Sequence, residues 1–285
     1  MRIARTPQGL GRLVDDRLEL LDLPGATIAD AVRLGTAALT ETAVLQTIPV
    51  GGVELLAPVD PLPRFGLVGA NYASHIAEAK MATPQCSLTL MVPGERIVLT
   101  GPRADIVLPA EAAGAVDYEG ELAVLLMQEA NKVNPDEAWE CIAGFMALND
   151  VSARDVQLGG DENEEPAARI ARVMRAKSFP TFKPCGPGLL LRETVERDTT
   201  FEIVTTVNGA VRQSASTDEM LFDVAVIVSE ASRYEPIAAG TLITTGTPAG
   251  VGFVSGNYLR PGDVVEVMLS GIGTLCNRVV AGATS

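Results

Sequence analysis

The sequence predicts a mostly β protein with some α structure (α+β), with a large domain over residues 63–285 and a small N-terminal domain over residues 1–62. Three observations support this fold class. Short apolar segments of strand-like composition recur along the chain, separated by Gly and Pro turns where a doubly wound fold would have regular helices. Only a few segments have helical features. The stretch APVDPLPR places three prolines before a compact apolar run, as expected for a linker that enters a first core strand.

Within the N-terminal domain, short apolar pieces are broken by Pro24-Gly25 and Gly51-Gly52. One segment, Ile28 to Leu39, has apolar residues at helical spacing and predicts a helix. The five strand candidates of the large domain are Arg96 to Leu99, Gly120 to Leu126, Phe201 to Val207, Thr241 to Thr245 and Val264 to Leu269.

Two further helices are predicted in the large domain. One covers Asp136 to Phe145, and the other covers Thr217 to about Ser232, with Ser216 or Thr217 as the cap and Glu219 in the first turn. Asn208-Gly209, between VTTV and AVRQ, predicts a tight β-hairpin. The connection 158–176 is predicted as a long loop, because the acidic run 161–165 is typical of an exposed segment.

The composition excludes several classes of function. With 36 acidic and 22 basic residues the net charge is −14, which opposes binding to nucleic acid or to anionic membranes. The N-terminus lacks the apolar stretch of a signal peptide, and no apolar run approaches the ~18 residues of a spanning helix, so we expect a cytoplasmic protein. The four cysteines are far apart and form no C-x-x-C pair, so they predict neither a zinc knuckle nor a disulfide framework.

The segment DYEGELAV carries the first candidate for chemistry. On a strand, Glu119 and Glu121 would point to the same face, and two carboxylates that close favour a hard cation such as Mg²⁺, Mn²⁺ or Ca²⁺ between them. Asp150, in a polar cluster after an apolar stretch, would supply a third ligand. Two plainer explanations stay open. The strand can have a solvated acidic face, and Asp150 can cap a turn beside a surface pair of Arg154 and Asp155.

His75 is the only histidine in the chain. If a helical turn begins near Ser74, Glu78 lies three residues on and can orient the imidazole as a general base, although a plain surface pair is the alternative. The stretches AKSF (176–179) and TTGTPAGVG (244–252) are rich in turn residues. The second has neither the Walker nor the dinucleotide-binding pattern, so by itself it predicts a loop.

In their order and spacing, these segments resemble the fumarylacetoacetate hydrolase family. The matching pieces, from about residue 64 to the C-terminus, are GANYASHIAE, DYEGELAVLL, LNDVSARDVQ, AKSFPTFKPCGP, VNGAVRQ, TTGTPAGVG and LRPGDVVEV followed by GIGTLCN. The resemblance implies a mixed β-roll catalytic domain, a homodimer, and Mg²⁺ or Mn²⁺ held by Glu119, Glu121 and Asp150. It further implies the following roles: His75 and Glu78 as a water-activating pair on a lid, Lys177 near the metal, and Arg154, Gln157 and Thr247 at the substrate.

The activity that the resemblance implies is hydrolysis of the carbon-carbon bond of an acylpyruvate-like 1,3-diketo acid, through an enolate held at the metal. The expected setting of this activity is aromatic-compound catabolism. The alternatives are a decarboxylase or tautomerase of the oxaloacetate type, a hydratase or dehydratase, and a ligand-binding dimer without catalysis. Two departures from the family pattern bear on the substrate. Val92 precedes Pro93 where relatives have a lysine, and Val173 lies where many have a tryptophan.

Overall fold

The structure is a computed structural model that describes residues 1–59, 61–161 and 163–283. Strands outnumber helices among these residues, and the expected fold class, mostly β with some α, is confirmed. No helix of the described part of the chain combines the length and the apolar character that crossing a membrane would require.

The larger sheet has eleven strands and mixed pairing. In chain order its strands are β1 (Arg2–Thr6), β2 (Gly9–Val14), β3 (Arg17–Leu21), β4 (Val44–Pro49), β5 (Arg64–Gly69), β6 (Leu88–Pro93), β7 (Leu99–Thr100), then β10 (Gly120–Leu126), β11 (Ile142–Asn149), β13 (Lys183–Leu191) and β16 (Leu242–Thr244). Their spatial order is β4-β3-β2-β1-β13-β11-β10-β16-β5-β6, with β7 paired to β13. The short strand β16 therefore lies between β10, to which it is antiparallel, and β5, to which it is parallel.

A second sheet of five strands has the order β15-β14-β17-β18-β8. These strands are β8 (Ile106–Leu108), β14 (Glu202–Val207), β15 (Ala210–Ser216), β17 (Val264–Leu269) and β18 (Gly273–Ala281). Two short strands, β9 (Val116–Asp117) and β12 (Ser152–Ala153), pair separately. The helices are α1 (Ile28–Glu41), α2 (Ala73–Glu78), α3 (Pro135–Cys141), α4 (Arg154–Leu158), α5 (Pro166–Lys177), α6 (Val224–Ser232) and α7 (Gly252–Ser255).

β10 is apolar from Leu122 to Leu126 because both of its faces lie in the core. Leu122 and Val124 face one core cluster, which includes residues of the second sheet and of α3 and α6. Ala123 and Leu125, which alternate with them, face the other cluster on the side of the N-terminal strands and α1. Because both faces are covered, β10 is buried along its whole length, and the strand predicted over Gly120 to Leu126 has the observed bounds.

Several predicted elements are confirmed. Three other strand predictions match β14, β16 and β17 to within one residue at each end. The Asn208-Gly209 hairpin joins β14 to β15, with both residues at positive φ (53° and 76°), as a tight turn of this kind requires. The helix predicted from Ile28 is α1, although Gly35, at φ 74°, interrupts it.

Other predictions are wrong for identifiable reasons. The segment predicted as a strand over Arg96 to Leu99 begins in a 3₁₀ turn, and only Leu99 is in a strand. The helix predicted to reach Phe145 ends at Cys141, because Ile142 starts β11, which pairs with both β10 and β13. Ser216 and Glu219 do form a capping box, but it closes only a 3₁₀ turn, and α6 starts afresh at Val224 with Asp223 as its cap.

The predicted long loop 158–176 is also wrong, because α5 occupies most of its second half. Pro166 at the first turn and a run of good helix formers explain the helix. Glu162 of the acidic run and Asp60 of the predicted linker lie outside the described residues. The predicted boundary between residues 62 and 63 falls in the irregular connection just before β5 and stays a prediction; β1 is hydrogen-bonded to β13 across it.

Candidate metal centre and active site

Three carboxylates converge at one end of the central hairpin. β10 and β11 are antiparallel, so the start of β10, with Glu119 and Glu121, lies beside the end of β11, which Asp150 follows. One ligand oxygen from each side chain lies within 4.8 Å of the others, and all three residues are buried. Glu119 and Glu121 therefore do not form a solvent-exposed acidic face. Three carboxylates offering only oxygen are a set that could hold a hard divalent cation.

Gly120 permits this arrangement. It lies between the two glutamates and faces the second sheet, where an added Cβ would be 2.2 Å from Thr205 Oγ1. Its amide donates to Gln213 Oε1 at 3.0 Å, which joins the start of β10 to β15. A side chain at this position would push β10 away from the second sheet and displace both carboxylates.

Two of the predicted site residues are buried cations that contact the carboxylates. The Lys177 ammonium, at the end of α5, is 2.6 Å from Glu119 Oε2 and 2.6 Å from Asp150 Oδ2. The Arg154 guanidinium, at the start of α4, is 2.5 Å from Glu119 Oε1 and 2.8 Å from Asp117 Oδ2. The possible surface pair of Arg154 with Asp155 is therefore not present, since Arg154 is buried among other partners.

Glu119 and Glu121 differ in protonation because their partners differ. Burial opposes ionisation of both, but Arg154 and Lys177 together hold the pKa of Glu119 well below its usual range. Burial, reinforced by the neighbouring charges of Asp150 and Glu119, raises the pKa of Glu121 well above its usual range. Glu121 Oε2 accepts a hydrogen bond from the Gly246 amide at 2.8 Å, and Glu121 forms no ion pair with a described residue.

Lys183 and Asp117 are two members of the site that the sequence analysis missed. Lys183, in β13, is 1% exposed, and its Nζ lies 2.8 Å from Asp150 Oδ1. The same ammonium donates to the carbonyls of Val151, Lys177 and Phe182, so it ties the end of α5 to the chain beside Asp150. Burial lowers the pKa of Lys183. The only sequence signal for Lys183 is a single lysine at the head of an otherwise uncharged strand.

Asp117 Oδ1 and Oδ2 accept the amides of Gly252 and Phe253 at 2.6 and 2.9 Å, which fixes the start of α7 against Arg154. Arg154 also lies over the Phe253 ring, with 5.6 Å between Cζ and the ring centroid. Asp117 precedes the two glutamates in the same segment, but nothing in its spacing distinguishes it from a turn residue.

His75 and Glu78 lie together on α2, with both side chains mostly buried. Nδ1 of His75 is 4.0 Å from Glu78 Oε2, and it has no hydrogen-bond partner in the described structure. Glu78 Oε2 instead accepts the Gly250 amide at 2.8 Å, which holds the carboxylate beside the imidazole. Burial lowers the pKa of His75, so the imidazole is neutral at pH 7 and can accept a proton.

One cavity of about 700 Å³ joins these groups. Eight of the nine predicted site residues line this cavity: His75, Glu119, Glu121, Asp150, Arg154, Gln157, Lys177 and Thr247. The ninth, Glu78, does not line it but lies 4.0 Å from His75 Nδ1. Gln157 Oε1 accepts from Arg154 at 2.5 Å, and the Thr247 hydroxyl donates to the Gly120 carbonyl at 3.0 Å. These two contacts hold the cavity wall in place around the carboxylates.

The two departures noted in the sequence differ in their surroundings. Val173 lines the cavity from α5. Val92 does not. Val92 is buried in the core cluster that includes residues of α1, so a valine instead of a lysine at this position leaves the cavity lining unchanged.

Comparisons with known proteins show which proteins this chain is similar to. The family model described as fumarylacetoacetate (FAA) hydrolase C-terminal matches residues 65–280. A Bos taurus mitochondrial protein named oxaloacetate tautomerase is 33% identical over 83% of this chain and 72% of its own length.

Two solved structures are similar in fold. A probable 2-hydroxyhepta-2,4-diene-1,7-dioate isomerase from Mycobacterium abscessus superposes with a TM-score of 0.81 and 30% identity, over 99% of each chain. A maleylpyruvate hydrolase from Sphingobium sp. SYK-6, solved with manganese(II) and pyruvate, has a TM-score of 0.77 and 25% identity, over 99% of this chain and 100% of that one.

Proposed function

This chain belongs to the fumarylacetoacetate hydrolase family, and we propose that it is a divalent-metal-dependent enzyme that interconverts the keto and enol forms of a 2-oxo acid. The observation that carries the proposal is the convergence of three buried carboxylates, a lysine and a neutral histidine on one cavity. The relative named oxaloacetate tautomerase favours this reaction over the hydrolysis that the sequence first suggested.

Glu119, Glu121 and Asp150 would hold the ion. Their donor set suits Mg²⁺ or Mn²⁺, and Ca²⁺ has the same preference for oxygen. Asp150 Oδ1 supports the fit, because this buried oxygen contacts Lys183 without hydrogen-bond geometry and has no hydrogen-bond partner. When bound, a divalent ion supplies a Lewis acid for the carboxylate and keto oxygens of a 2-oxo acid.

The buried charges also favour an anionic substrate. Seven ionised or ionisable side chains are buried at the site, four acidic and three basic: Asp117, Glu119, Glu121, Asp150, Arg154, Lys177 and Lys183. With every carboxyl ionised, one negative charge is in excess, and this adds to the effect of burial in raising the pKa of Glu121. A divalent cation reverses the balance to one positive charge, and a monoanionic carboxylate group then neutralises the site.

His75 is the proposed base. Its neutral imidazole faces the cavity and can take a proton from C3 of the 2-oxo acid, while the electron pair of the broken C–H bond moves onto the keto oxygen. The same imidazole then gives the proton to that oxygen, which yields the enol and restores neutral His75. Lys177, whose pKa is raised by Asp150 and Glu119 against the effect of burial, stays charged and offsets the negative charge on the oxygen.

Hydrolysis of an acylpyruvate-like acid is the second candidate. The pair of His75 and Glu78 can equally activate a water molecule, and a cavity of about 700 Å³ has room for a larger substrate than oxaloacetate. The similarity to a maleylpyruvate hydrolase supports this candidate.

A homodimer, which the sequence resemblance implies, is proposed as well. Light scattering after size-exclusion chromatography measures the mass of the assembly and so tests this proposal.

The test uses the purified chain with Mn²⁺ or Mg²⁺, and with chelator. Enol oxaloacetate is followed by its ultraviolet absorbance, and proton NMR in D₂O detects exchange at C3 and any pyruvate formed. We expect metal-dependent ketonisation without release of CO₂ or uptake of water, lost in His75→Ala and in Glu119→Gln. Glu202→Gln, which changes an exposed glutamate on the second sheet, is the matched control. Cleavage of an acylpyruvate without ketonisation would favour the hydrolase, and full activity of Glu119→Gln would refute the site.

A further inference from the structure

Helix α5 presents one face to the cavity. Arg169, Arg172, Val173 and Lys177 all line it, and their spacing of three, four and eight residues from Arg169 places them on a single stripe of the helix. Lys177 marks the inner end of the stripe, at the carboxylates. Arg169 marks the outer end.

The two arginines on this stripe differ in their partners. Arg172 is bound to Glu164, with 2.6 Å between Nη2 and Oε2, and it donates to the Gln157 carbonyl. Gly160 makes room for it, since an added Cβ there would be 2.4 Å from the guanidinium. Arg172 is thus neutralised, and it holds α5 against the preceding turn. The Arg169 side chain is exposed and forms no hydrogen bond or ion pair with the described residues, although the closer Arg172, together with the charge of Arg169, lowers the pKa of Glu164.

The distance along α5 between Arg169 and Lys177 sets the minimum length of a substrate that contacts both ends of the stripe. Arg169 and Lys177 are eight residues apart, about 12 Å along the helix axis. Side chains on a helix lean toward its N-terminus, which moves the Arg169 guanidinium further from the carboxylates. Apolar side chains form part of the cavity lining: Leu88 and Leu90 from β6, and Val173, which lies between Arg169 and Lys177 on α5. Oxaloacetate, a four-carbon acid, is too short to reach both ends.

We propose that Arg169 is a distal anion subsite, which selects 2-oxo acids with a second carboxylate at the far end of an apolar chain longer than that of oxaloacetate. This inference rests on the proposed function, because the inner end of the substrate is assigned to the metal site. A guanidinium that has no ion-pair partner among the described residues gives a carboxylate at the far end of the substrate a charge-assisted partner, and the methylene chain can lie against the leucines.

Two described negative charges near Arg169 work against the subsite. Glu164 interacts electrostatically with Arg169 but is already paired with Arg172. Asp161 lines the cavity, and its Oδ1 accepts the Asn163 amide at 2.9 Å, which fixes the carboxylate in the turn before α5. Asp161 and Arg169 form no ion pair, so Arg169 stays available while Asp161 weakens the local field. Removing the Asp161 charge is therefore expected to strengthen binding of a long dianion.

The experiment compares three acids by one readout, deuterium exchange at C3: oxaloacetate, 2-oxoheptanoate and 2-oxoheptanedioate. Arg169→Gln is expected to raise KM for 2-oxoheptanedioate about three- to tenfold relative to KM for oxaloacetate, with kcat changed less than about twofold. Asp161→Asn is expected to shift this ratio the other way, and 0.5 M salt should reduce both effects. Arg175→Gln, an exposed arginine of the same helix outside the cavity, is the control and should leave the ratio unchanged.

An unchanged ratio in Arg169→Gln, or an equal change for 2-oxoheptanoate and 2-oxoheptanedioate, overturns the subsite. If the wild type exchanges none of the three acids, the proposed function fails, and calorimetry then tests Arg169 separately. In that arm, the Kd of 2-oxoheptanedioate for the Mn²⁺-loaded protein should rise in Arg169→Gln but not in Arg175→Gln. An equal Kd in the wild type and Arg169→Gln overturns the inference.

Discussion

Glu119 and Glu121 are two residues apart in the same segment, yet the structure predicts a large loss of stability when Glu119 is changed to glutamine and little change when Glu121 is. Glu119 contacts Arg154 at 2.5 Å and Lys177 at 2.6 Å, so Glu119→Gln leaves two buried cations with less compensation. Removing one partner of a buried ion pair typically costs about 3–5 kcal/mol. Because Arg154 keeps Asp117 and Lys177 keeps Asp150, we expect the lower end, about 3 kcal/mol.

Glu121→Gln has no such cost in the metal-free protein. Glu121 forms no ion pair with a described residue, and a glutamine oxygen can still accept the Gly246 amide. Burial and the charges of Asp150 and Glu119 raise the pKa of Glu121, so the substitution removes an unfavourable charge or replaces a neutral acid by a neutral amide. We expect the free energy of unfolding to change by less than about 1 kcal/mol, in either direction.

Thermal unfolding of chelator-treated protein at pH 7 measures the difference. At roughly 2–4 °C for each kcal/mol, Glu119→Gln should lower Tm by roughly 6–12 °C, while Glu121→Gln should leave it within roughly 4 °C of the wild type. Titration with Mn²⁺ should then raise the Tm of the wild type but of neither variant, because each lacks one of the three oxygen ligands. Equal destabilisation by both substitutions would contradict the assignment of charges, and a Mn²⁺-induced rise in either variant would refute the ligand set.

The remaining predictions concern pH, the second lysine and the hairpin. Burial lowers the pKa of His75 below the ordinary value of about 6.5, so the base stays neutral as pH falls through that value. The acidic limb of the kcat/KM profile should therefore lie below pH ~6.5. An acidic limb above this pH would refute His75 as the base. Lys183→Met removes the ion pair with Asp150 and three hydrogen bonds to carbonyls, so we expect the free energy of unfolding, measured by chemical denaturation, to fall by about 3–5 kcal/mol. An unchanged denaturation midpoint would count against these contacts. Gly209→Ala forces a Cβ into φ 76° with no steric neighbour within 4 Å, so unfolding should become easier by about 1 kcal/mol, and no change would mean that the turn relaxes.

The sequence predicted best where local pattern and tertiary environment agree. From Leu122 to Leu126, β10 is apolar because it is covered on both faces, and the Asn208-Gly209 turn carries its own conformational requirement. The boundary between α3 and β11 could not be predicted from the local sequence, because apolar residues continue through Cys141 and Ile142 and only pairing with β10 and β13 starts the strand.

For the site, sequence motifs indicated the carboxylates but not the buried charges that compensate them. Lys183 and Asp150 are 33 residues apart, and nothing near Lys183 in the chain indicates that its ammonium is enclosed by carbonyls. Arg169 was missed for a different reason. The acidic run before it suggested a loop, whereas α5 turns its arginines toward the cavity. Both residues reach the cavity or its carboxylates only through the folding of the chain.

The position of β16 has a consequence for how this protein emerges from the ribosome. Residues 242–244 fill the gap between two strands made more than a hundred residues earlier, so the larger sheet has two bare edges, on β10 and β5, until most of the chain has been synthesised. Bare edges of this kind invite pairing with other nascent chains. A chain stalled shortly before residue 240 should therefore be the most aggregation-prone translation intermediate and the one most dependent on chaperones.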